Sequence, residues 1–392
     1  MSIGNSMGKS NLTGICLLGG MALLGCTKPR SDNTSYAQVS IYDTVSIESK
    51  GELLFLKWGL STATVSSDLS TLYNFNVDEP SLEVIDLDKY ILSHKVPLER
   101  EGQNGIGQRG KGGILALSDQ LLLFKGWPAP YVLDLEGRRT RLLENLASIK
   151  SSVTPAGRDF MYEIMHPGFP NLVFGITNEY PGKNFEFTVL DLSDNSIKSA
   201  TPLSAWDNFS DYSLVFDDGT QFDLWAPRVY VTLLGQYICL STDVSSDLYL
   251  YDPRAEQLAL REILPKLTPR QKTPTGSIDT SDAAQFQATF RKLYGDIAFA
   301  PPFWDQDAQE YYRFSYTTTF GKSEDGLYPK PIGQQVYLSV IDTDFSNHAA
   351  YPLEFLNEAP VFSFSKAGKI WTFLNLQDEM AFLRLEVPAD TP

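Results

Sequence analysis

The sequence predicts an all-β chain: a six-bladed β-propeller closed by its N-terminal strand, with one short helical insertion near residues 282–294. Three observations predict it. A strand–turn–strand pattern with aspartate at the turn recurs along the chain, aromatic residues are abundant, and a spare strand at one end of the chain matches a missing strand at the other. The pattern is clearest in residues 247–260 (DLYLYDPRAEQLAL), where a strand meets a tight turn opening on Asp252-Pro253 and a second strand follows. Weaker copies place the turn residue at Asp86, Asp134, Asp191 and Asp342, with Arg384 taking its position in a last unit. The spacings are 48, 57, 61, 90 and 42 residues, and the largest contains the helical insertion. A period of roughly 40 to 60 residues with about four strands per unit is the signature of a propeller. Two packed β-sandwiches are the competing arrangement.

Length alone leaves the domain count open, because 392 residues suit either one large all-β domain or two to three average ones. Hydrophobic residues at 43% and charged residues at 20% are those of a globular protein with a full core. The 19 Tyr, 23 Phe and 6 Trp favour half-buried pleated surfaces. A formal charge of -16, with no Lys/Arg-rich run to offset it locally, repels polyphosphate and excludes nucleic acid as a partner.

The elements follow in chain order. Residues 11–25 (NLTGICLLGGMALLG) are an apolar run behind Lys9, shorter than the roughly 20 residues a membrane span needs but suited to the core of a secretion signal. The run ends in Leu23-Leu24-Gly25-Cys26, which resembles the lipobox of bacterial lipoproteins. That resemblance implies a signal peptide over 1–25 and an acylated Cys26 that attaches the chain by lipid to a membrane of the cell envelope, facing the periplasm or the cell surface. Residues 26–35 read as a flexible tether, and the repeated units as a single propeller domain over 36–392. With Cys16 removed and Cys26 lipidated, Cys239 stands alone in an apolar strand pattern and has no disulfide partner.

Residues 36–48 read as one long strand and residues 52–59 as another. Strands over 71–76, 81–86 and 90–96 make a first meander; 114–117, 120–125, 131–135 and 138–143 make a second; 171–176, 187–192 and 196–202 make a third. An Asp-Gly turn inside 212–225 predicts an extra hairpin before the fourth unit, which uses 229–233, 237–240 and the two strands of 247–260. Residues 268–280 read as a loop, and 282–294 place Phe286, Phe290, Leu293 and Tyr294 on one helical face with Ser281 or Asp282 as N-cap. The fifth unit takes 310–316, 337–342 and 349–355. The sixth has 370–374 and 381–387 and then ends without an outer strand, which residues 36–48 can supply by pairing there and removing both exposed edges.

The segment Arg100-Glu101-Gly102-Gln103-Asn104-Gly105-Ile106-Gly107 and the later Tyr311-Tyr312-Arg313-Phe314, taken with the lipobox, resemble a family of Bacteroidetes lipoproteins with a TolB-like six-bladed propeller and no assigned function. Gln103 stands where that family usually has Pro. The resemblance spans nearly the whole mature chain and implies a fold and a compartment, not an activity.

Candidate binding residues are of three kinds. The glycine-rich stretch 102–113 lacks the Gly-Lys-Ser/Thr ending of a phosphate loop, but its Asn104 and Arg109 suit the lining of one mouth of a ring. Arg313 lies on the polar face of its strand; its planar fork suits a carboxylate or sulfate ligand, or else an acidic neighbour in the adjacent unit. Trp127, Trp206, Trp225 and Trp304 lie in Pro- or Asp-flanked connections, placed either to stack on sugar rings or to plug the gaps between units. His166, near Tyr162 and Glu163, completes the set. The three histidines are widely separated, there is no Gly-x-Ser-x-Gly elbow, and neither a metal site nor a cofactor is predicted. These features point to a binding or scaffold module for a protein partner or a glycan. The alternative is a carbohydrate-active lyase or hydrolase with its site in the central funnel. The repeated aspartates are turn formers rather than catalytic groups.

Overall fold

Short runs of alternating apolar residues, punctuated by Asp, Asn and Gly turns, fold here into small antiparallel meanders. The structure, a computed structural model, describes residues 38–107, 113–125, 130–140, 142–179, 182–322 and 326–388. The expected signal peptide and tether with Cys26, together with Arg109 and Trp127, lie outside the described residues.

The chain enters on β1 (Ser40–Ser46). The first sheet follows with β2 (Ala63–Val65), β3 (Thr71–Asn76), β4 (Ser81–Asp86) and β5 (Ile91–Pro97), and the second with β6 (Ile114–Ser118), β7 (Leu121–Phe124) and β8 (Tyr131–Asp134). After helix α1 (Leu146–Val153) comes the third sheet, β9 (Arg158–Met165), β10 (Leu172–Glu179), β11 (Lys183–Asp191) and β12 (Ser196–Pro202). The hairpin β13 (Leu214–Asp217) and β14 (Phe222–Trp225) precedes the fourth sheet, β15 (Val229–Leu234), β16 (Tyr237–Thr242), β17 (Leu248–Asp252) and β18 (Gln257–Arg261). Strand β19 (Ile278–Thr280) and helix α2 (Ala283–Gly295) lead to the fifth sheet: β20 (Ala298–Phe299), β21 (Phe303–Asp305), β22 (Glu310–Phe320), β23 (Pro331–Ile341) and β24 (Asn347–Pro352). The sixth sheet is β25 (Ser363–Lys366), β26 (Lys369–Leu376) and β27 (Glu379–Glu386), and β1 completes it by pairing antiparallel with β27.

The fold is thus all-β, and its central strands are buried on both faces: β10 is buried along nearly its whole length. A strand buried on both sides needs an apolar partner on each, and each sheet has two. Phe75 and Leu82 of the first meet Ile114 and Phe124 of the second, and Leu123 and Val132 of the second meet Phe160 and Val173 of the third. Phe187 of the third lies with its ring centroid 4.7 Å from that of Tyr251 in the fourth. Cys239 and Leu250 of the fourth pack with Tyr311 and Ile341 of the fifth, Phe314 and Leu338 of the fifth with Ile370 and Leu385 of the sixth, and Trp371 and Phe382 of the sixth with Leu72 and Ile85 of the first. Each fully buried Phe or Leu in these seams contributes on the order of 2 kcal/mol by removal of apolar surface from water.

The turn aspartates act as their chemistry dictates. Asp86 Oδ1 accepts from the amides of Asp88 at 3.0 Å and Lys89 at 2.9 Å, Asp134 Oδ1 from Glu136 at 3.1 Å and Arg138 at 2.8 Å, and Asp252 Oδ1 from Arg254 at 2.8 Å and Ala255 at 3.2 Å. Asp191 and Asp342 do likewise. Arg384 does not occupy this place: it lies within β27, opposite Asp43 of β1, and forks onto both carboxylate oxygens. Its guanidinium also reaches Tyr90 Oη at 3.2 Å and sits 5.1 Å from the Trp371 ring.

Four further expectations need correction. The second sheet has three strands, not four: the described residues of 138–143 form only an isolated bridge, Arg139 to Leu133. Residues 52–59 form no strand, because the Phe55 amide turns inward to the buried Glu83 carboxylate at 3.1 Å instead of to a neighbouring strand. Helix α2 is present with Asp282 as N-cap, its Oδ1 accepting from Ala284 N at 2.8 Å, but it is not the only helix: α1 also forms, two turns long, and packs Leu146, Ile149 and Val153 on the seam between second and third sheets. The hairpin over 212–225 forms and gains an unforeseen third strand, since β19 pairs parallel with β13 beneath α2.

Removing the fork by Arg384→Ala is expected to cost about 1 to 3 kcal/mol, read as a lowered thermal midpoint. The Arg384 hydrogen bond holds the Asp43 carboxyl below its ordinary value, with desolvation opposing it. A depressed carboxylate stabilises the fold above its unfolded pKa of about 3.9, and that stabilisation fades as pH falls through the lower folded value. The difference in stability between wild type and Asp43→Asn should therefore be full at neutral pH and shrink below about pH 4; a difference independent of pH would show that the pair does not act through charge.

Candidate functional site

In an antiparallel meander the links between sheets and the turn between second and third strands fall at the same end. Edge strands of neighbouring sheets also lie against one another, β2 on β6, β9 on β15 and β21 on β25. The first strands of the sheets therefore converge, and residues at their starts face a shared recess.

The densest polar cluster there is built by the fourth sheet. Asp243 follows β16 and is 5% exposed. Its Oδ1 accepts from Arg228 N at 2.8 Å, and its backbone amide donates to Arg228 O at 3.2 Å. Its Oδ2 lies 3.5 Å from Lys272 Nζ, an ammonium whose side chain is 2% exposed and which also faces the Tyr294 ring at 5.2 Å. Burial pulls the Lys272 pKa down, and the Asp243 charge opposes that pull. Arg228 is different: it is exposed, and among the described residues its guanidinium makes no ion pair. Tyr230, Tyr316 and Asp243 lie within its electrostatic range. Burial pushes the Tyr230 hydroxyl up to about 12 and raises that of Tyr316, so both stay protonated at neutral pH and offer a donor as well as an acceptor.

The third sheet adjoins the fourth through β9 and β15. A bulge interrupts the pairing of β9 with β10, and at the bulge Tyr162 adopts φ 60°. Gly175 sits across from it, and a Cβ there would come within 2.8 Å of Met161 O and of the Phe160 ring. The bulge thus requires glycine, and it re-aims Tyr162. The Tyr162 side chain is 41% exposed, yet burial raises its pKa. A group that reaches water but is crowded by protein stands in a concavity rather than on a convex surface. Next to it Glu163 pairs with Lys150 of α1, and burial pulls down the pKa of the half-buried Lys125 while Glu163 opposes the shift. Between α1 and β9 lies a cavity of about 500 Å³ lined by Lys150, Thr154, Arg158, Asp159, Met161 and Glu163.

The residues singled out in the sequence are scattered relative to this recess. Asn104 lies in the link between first and second sheets, its Oδ1 accepting from Arg139 N at 3.2 Å. His166 is in the turn after β9, at the other end of its sheet, where Nδ1 accepts from Gly168 N at 3.0 Å and burial lowers its pKa, helped by Arg254. Trp304, on β21, packs on Tyr311 at 4.5 Å between centroids. Trp206 is 7% exposed, wedged between Phe185 and Tyr249. Trp225 is half-buried, 4.9 Å from Phe290 and 5.2 Å from Tyr294, and so borders the Asp243 cluster through Tyr294. Arg313 forms an ion pair with no carboxylate among the described residues: it is 2% exposed and donates to Ala300 O at 2.7 Å, Ser246 O at 2.6 Å and Thr242 O at 3.0 Å, with Asp247 and Asp243 acting on it only at longer range. Burial pulls its pKa down to about 10. Cys239 is buried, its thiol pushed up to about 12, so it is inert.

Arg228, Tyr230, Asp243 and Lys272 went unnoticed in the sequence because no spacing links residues from β15, a turn and a loop before α2. The one legible signal was the run Pro227-Arg228-Val229-Tyr230, which sets a charge and an aromatic at the start of a first strand. Among the described residues no group of three or more His, Cys, Asp or Glu is arranged to hold a metal ion, and no helix is long and apolar enough to cross a membrane.

The fold and the recess define an all-β protein of propeller-like sheets. The profile of a domain of unknown function, DUF4221, matches residues 35–347, and the chain belongs to that family. The crystal structure of a DUF4221 member from Bacteroides vulgatus superposes with a TM-score of 0.63 at 12% identity, covering 90% of this chain and 99% of that one. The Dos1 propeller matches 86% of this chain and 69% of its own at 10% identity and a TM-score of 0.36. Among curated proteins nothing matches the sequence.

Arg313→Met should cost about 2 to 4 kcal/mol, because three buried carbonyls of the fourth and fifth sheets lose their donors together. Denaturant unfolding would show a lower midpoint at unchanged slope; a loss below about 0.5 kcal/mol would mean that water replaces the guanidinium.

Proposed function

We propose that this protein is a lipid-anchored binding module: a TolB-like six-bladed propeller over residues 36–392, closed by β1, that takes a glycan in the recess between its first strands. The single observation that carries the reading is the set of water-accessible but crowded side chains there, Tyr162, Arg228, Tyr230 and Tyr316. Tyrosine offers a flat apolar face with a polar tip, which suits a sugar ring edged by hydroxyls. Six seams, each joining one sheet to the next and the last to the first, support the ring. Binding is favoured over hydrolysis because Asp243 and Glu163 are engaged by lysines, Asp243 by Lys272 and Glu163 by Lys150, rather than presented together as a free acid and base.

The anchor completes the reading. Residues 1–25 serve as signal peptide, Cys26 carries the lipid and residues 26–35 tether the propeller outside the cytoplasm of a Gram-negative cell, where a glycan or a protein partner is within reach. Cys26→Ala is expected to move the protein from the membrane to the soluble fraction; retention in the membrane would refute the anchor.

Tyr162→Gly tests the recess, since glycine accepts φ 60° without strain while the ring is lost. On a glycan array the full chain should bind at least one glycan, and Tyr162→Gly should weaken that binding at least fivefold with little change in thermal midpoint. Retention of no glycan by the wild-type protein would end the glycan reading and leave a protein partner as the ligand.

A further inference from the structure

The charge balance of the recess names a ligand class, and the inference rests on the glycan reading above. Asp243 has both oxygens occupied, Oδ1 by the Arg228 amide at 2.8 Å and Oδ2 by Lys272 at 3.5 Å. Its one negative charge is therefore spent on the buried ammonium, and the neighbouring Arg228 guanidinium is left exposed and without an ion pair among the described residues. Arg100, Arg139, Arg254 and Arg261 are likewise exposed and make no ion pair among the described residues. What marks Arg228 is its setting: the buried Asp243 carboxylate accepts from its backbone amide, and two phenols, Tyr230 and Tyr316, lie with Asp243 within range of its guanidinium.

We propose that the Arg228 recess binds an acidic sugar, with the guanidinium forking onto a carboxylate or sulfate and Tyr230 and Tyr316 contacting the ring and its hydroxyls. A planar guanidinium matches the two oxygens of a carboxylate or sulfate edge and makes two charge-assisted bonds there. A multiply charged phosphate chain fits poorly, because the Arg228 guanidinium is set in a strongly acidic protein. The Asp243–Lys272 pair acts as the positioning element: one backbone bond and one bond to the carboxylate hold the Arg228 backbone at the entry to β15, so that the side chain starts from a fixed point before ligand arrives.

The test is calorimetry on the full chain in detergent with four probes: tetragalacturonate, its fully methyl-esterified form, a carrageenan tetrasaccharide, which is sulfated but has no carboxylate, and a tetra-glutamate peptide. Binding of tetragalacturonate, the carrageenan tetrasaccharide or both, at least tenfold tighter than the ester, is expected; which of the two binds separates carboxylate from sulfate recognition. Arg228→Ala should remove at least tenfold of that affinity and Arg228→Lys an intermediate part, since an ammonium keeps the charge and loses the fork. Comparing acid with ester on the wild-type protein keeps the test valid should either variant fold poorly. Equal affinity for acid and ester, or unchanged affinity in Arg228→Ala, overturns the acidic-sugar assignment while glycan binding stands. Binding of the peptide alone overturns it in favour of an acidic protein ligand, and binding of no sugar on the array removes the glycan reading as well.

Discussion

Pairing of β1 with β27 is the contact on which the other seams depend. The two strands stand at opposite ends of the chain, with Asp43 and Arg384 separated by 341 positions. Closing such a loop costs on the order of 5 kcal/mol of chain entropy if nothing else is ordered. Strand β1 is itself mostly exposed, so its own burial cannot offset that cost. Compensation comes from its flanks: Val39 is 6% exposed and belongs to the seam between fifth and sixth sheets, whereas Ile47 is 1% exposed and belongs to the seam between sixth and first. At the exit of β1 adjacent residues change partners, Ile47 N donating to Met380 O at 2.8 Å and Glu48 N to Tyr90 O at 2.7 Å. One short strand thus ties the last sheet to the first, and it does so only after the intervening sheets have shortened the effective loop. This pairing belongs late in folding, when its closure entropy has already been met by local meanders.

The same logic governs the interior charges. Between fourth and fifth sheets no carboxylate joins Arg313; three carbonyls receive it, and the Phe299 ring lies 5.0 Å from its charge. Within the first sheet the reverse holds: Glu83, fully buried, receives the Phe55 amide and Asn74 Nδ2 at 2.7 Å, with Lys95 at 3.4 Å. Burial raises the Glu83 pKa and these donors oppose the rise. Both side chains connect segments far apart in sequence, and both lose their partners if a sheet shifts by one residue, because the pleat then turns them to the opposite face. They fix register where apolar packing alone would tolerate a slip.

Much of the fold was legible in the sequence, and the reasons are local. Asp-Pro and Asp-Gly turns, period-two alternation, and the helical spacing of Phe286, Phe290 and Leu293 each act within about ten residues. Residues 52–59 misled because an apolar run reads as strand whether its amides meet another strand or, as at Phe55, a buried carboxylate. The bulge at Tyr162 left no mark except Gly175, whose need for a missing Cβ arises from a strand more than ten residues earlier. Arg313 showed how a correct position can carry a wrong partner: its strand and polar face were readable, but which carbonyls would surround it depended on how two sheets dock. For the recess, the sequence offered aromatics and cations without their neighbours. Of the described candidates, Trp225 borders the Asp243 cluster through Tyr294, and Arg313 borders it through the carbonyls of Thr242 and Ser246.

What repeats in the sheets and what does not therefore serve different ends. The turn aspartates recur because every outer hairpin needs its amides capped, and a residue required five times over cannot mark one ligand position. The Arg228–Asp243–Lys272 arrangement occurs once. It draws on the link into the fourth sheet, on the loop between β16 and β17, and on the long segment before α2. Those segments are set by the sheets at their ends but are free in length and composition between them, as loops on a rigid scaffold generally are. Asp243 joins the two roles: its side chain holds Arg228 and Lys272, while its carbonyl accepts the Phe299 amide of the fifth sheet at 3.2 Å. A ligand pulling on Arg228 would thus load a seam of the fold itself, which makes the recess stiff and its geometry a property of the assembled sheets.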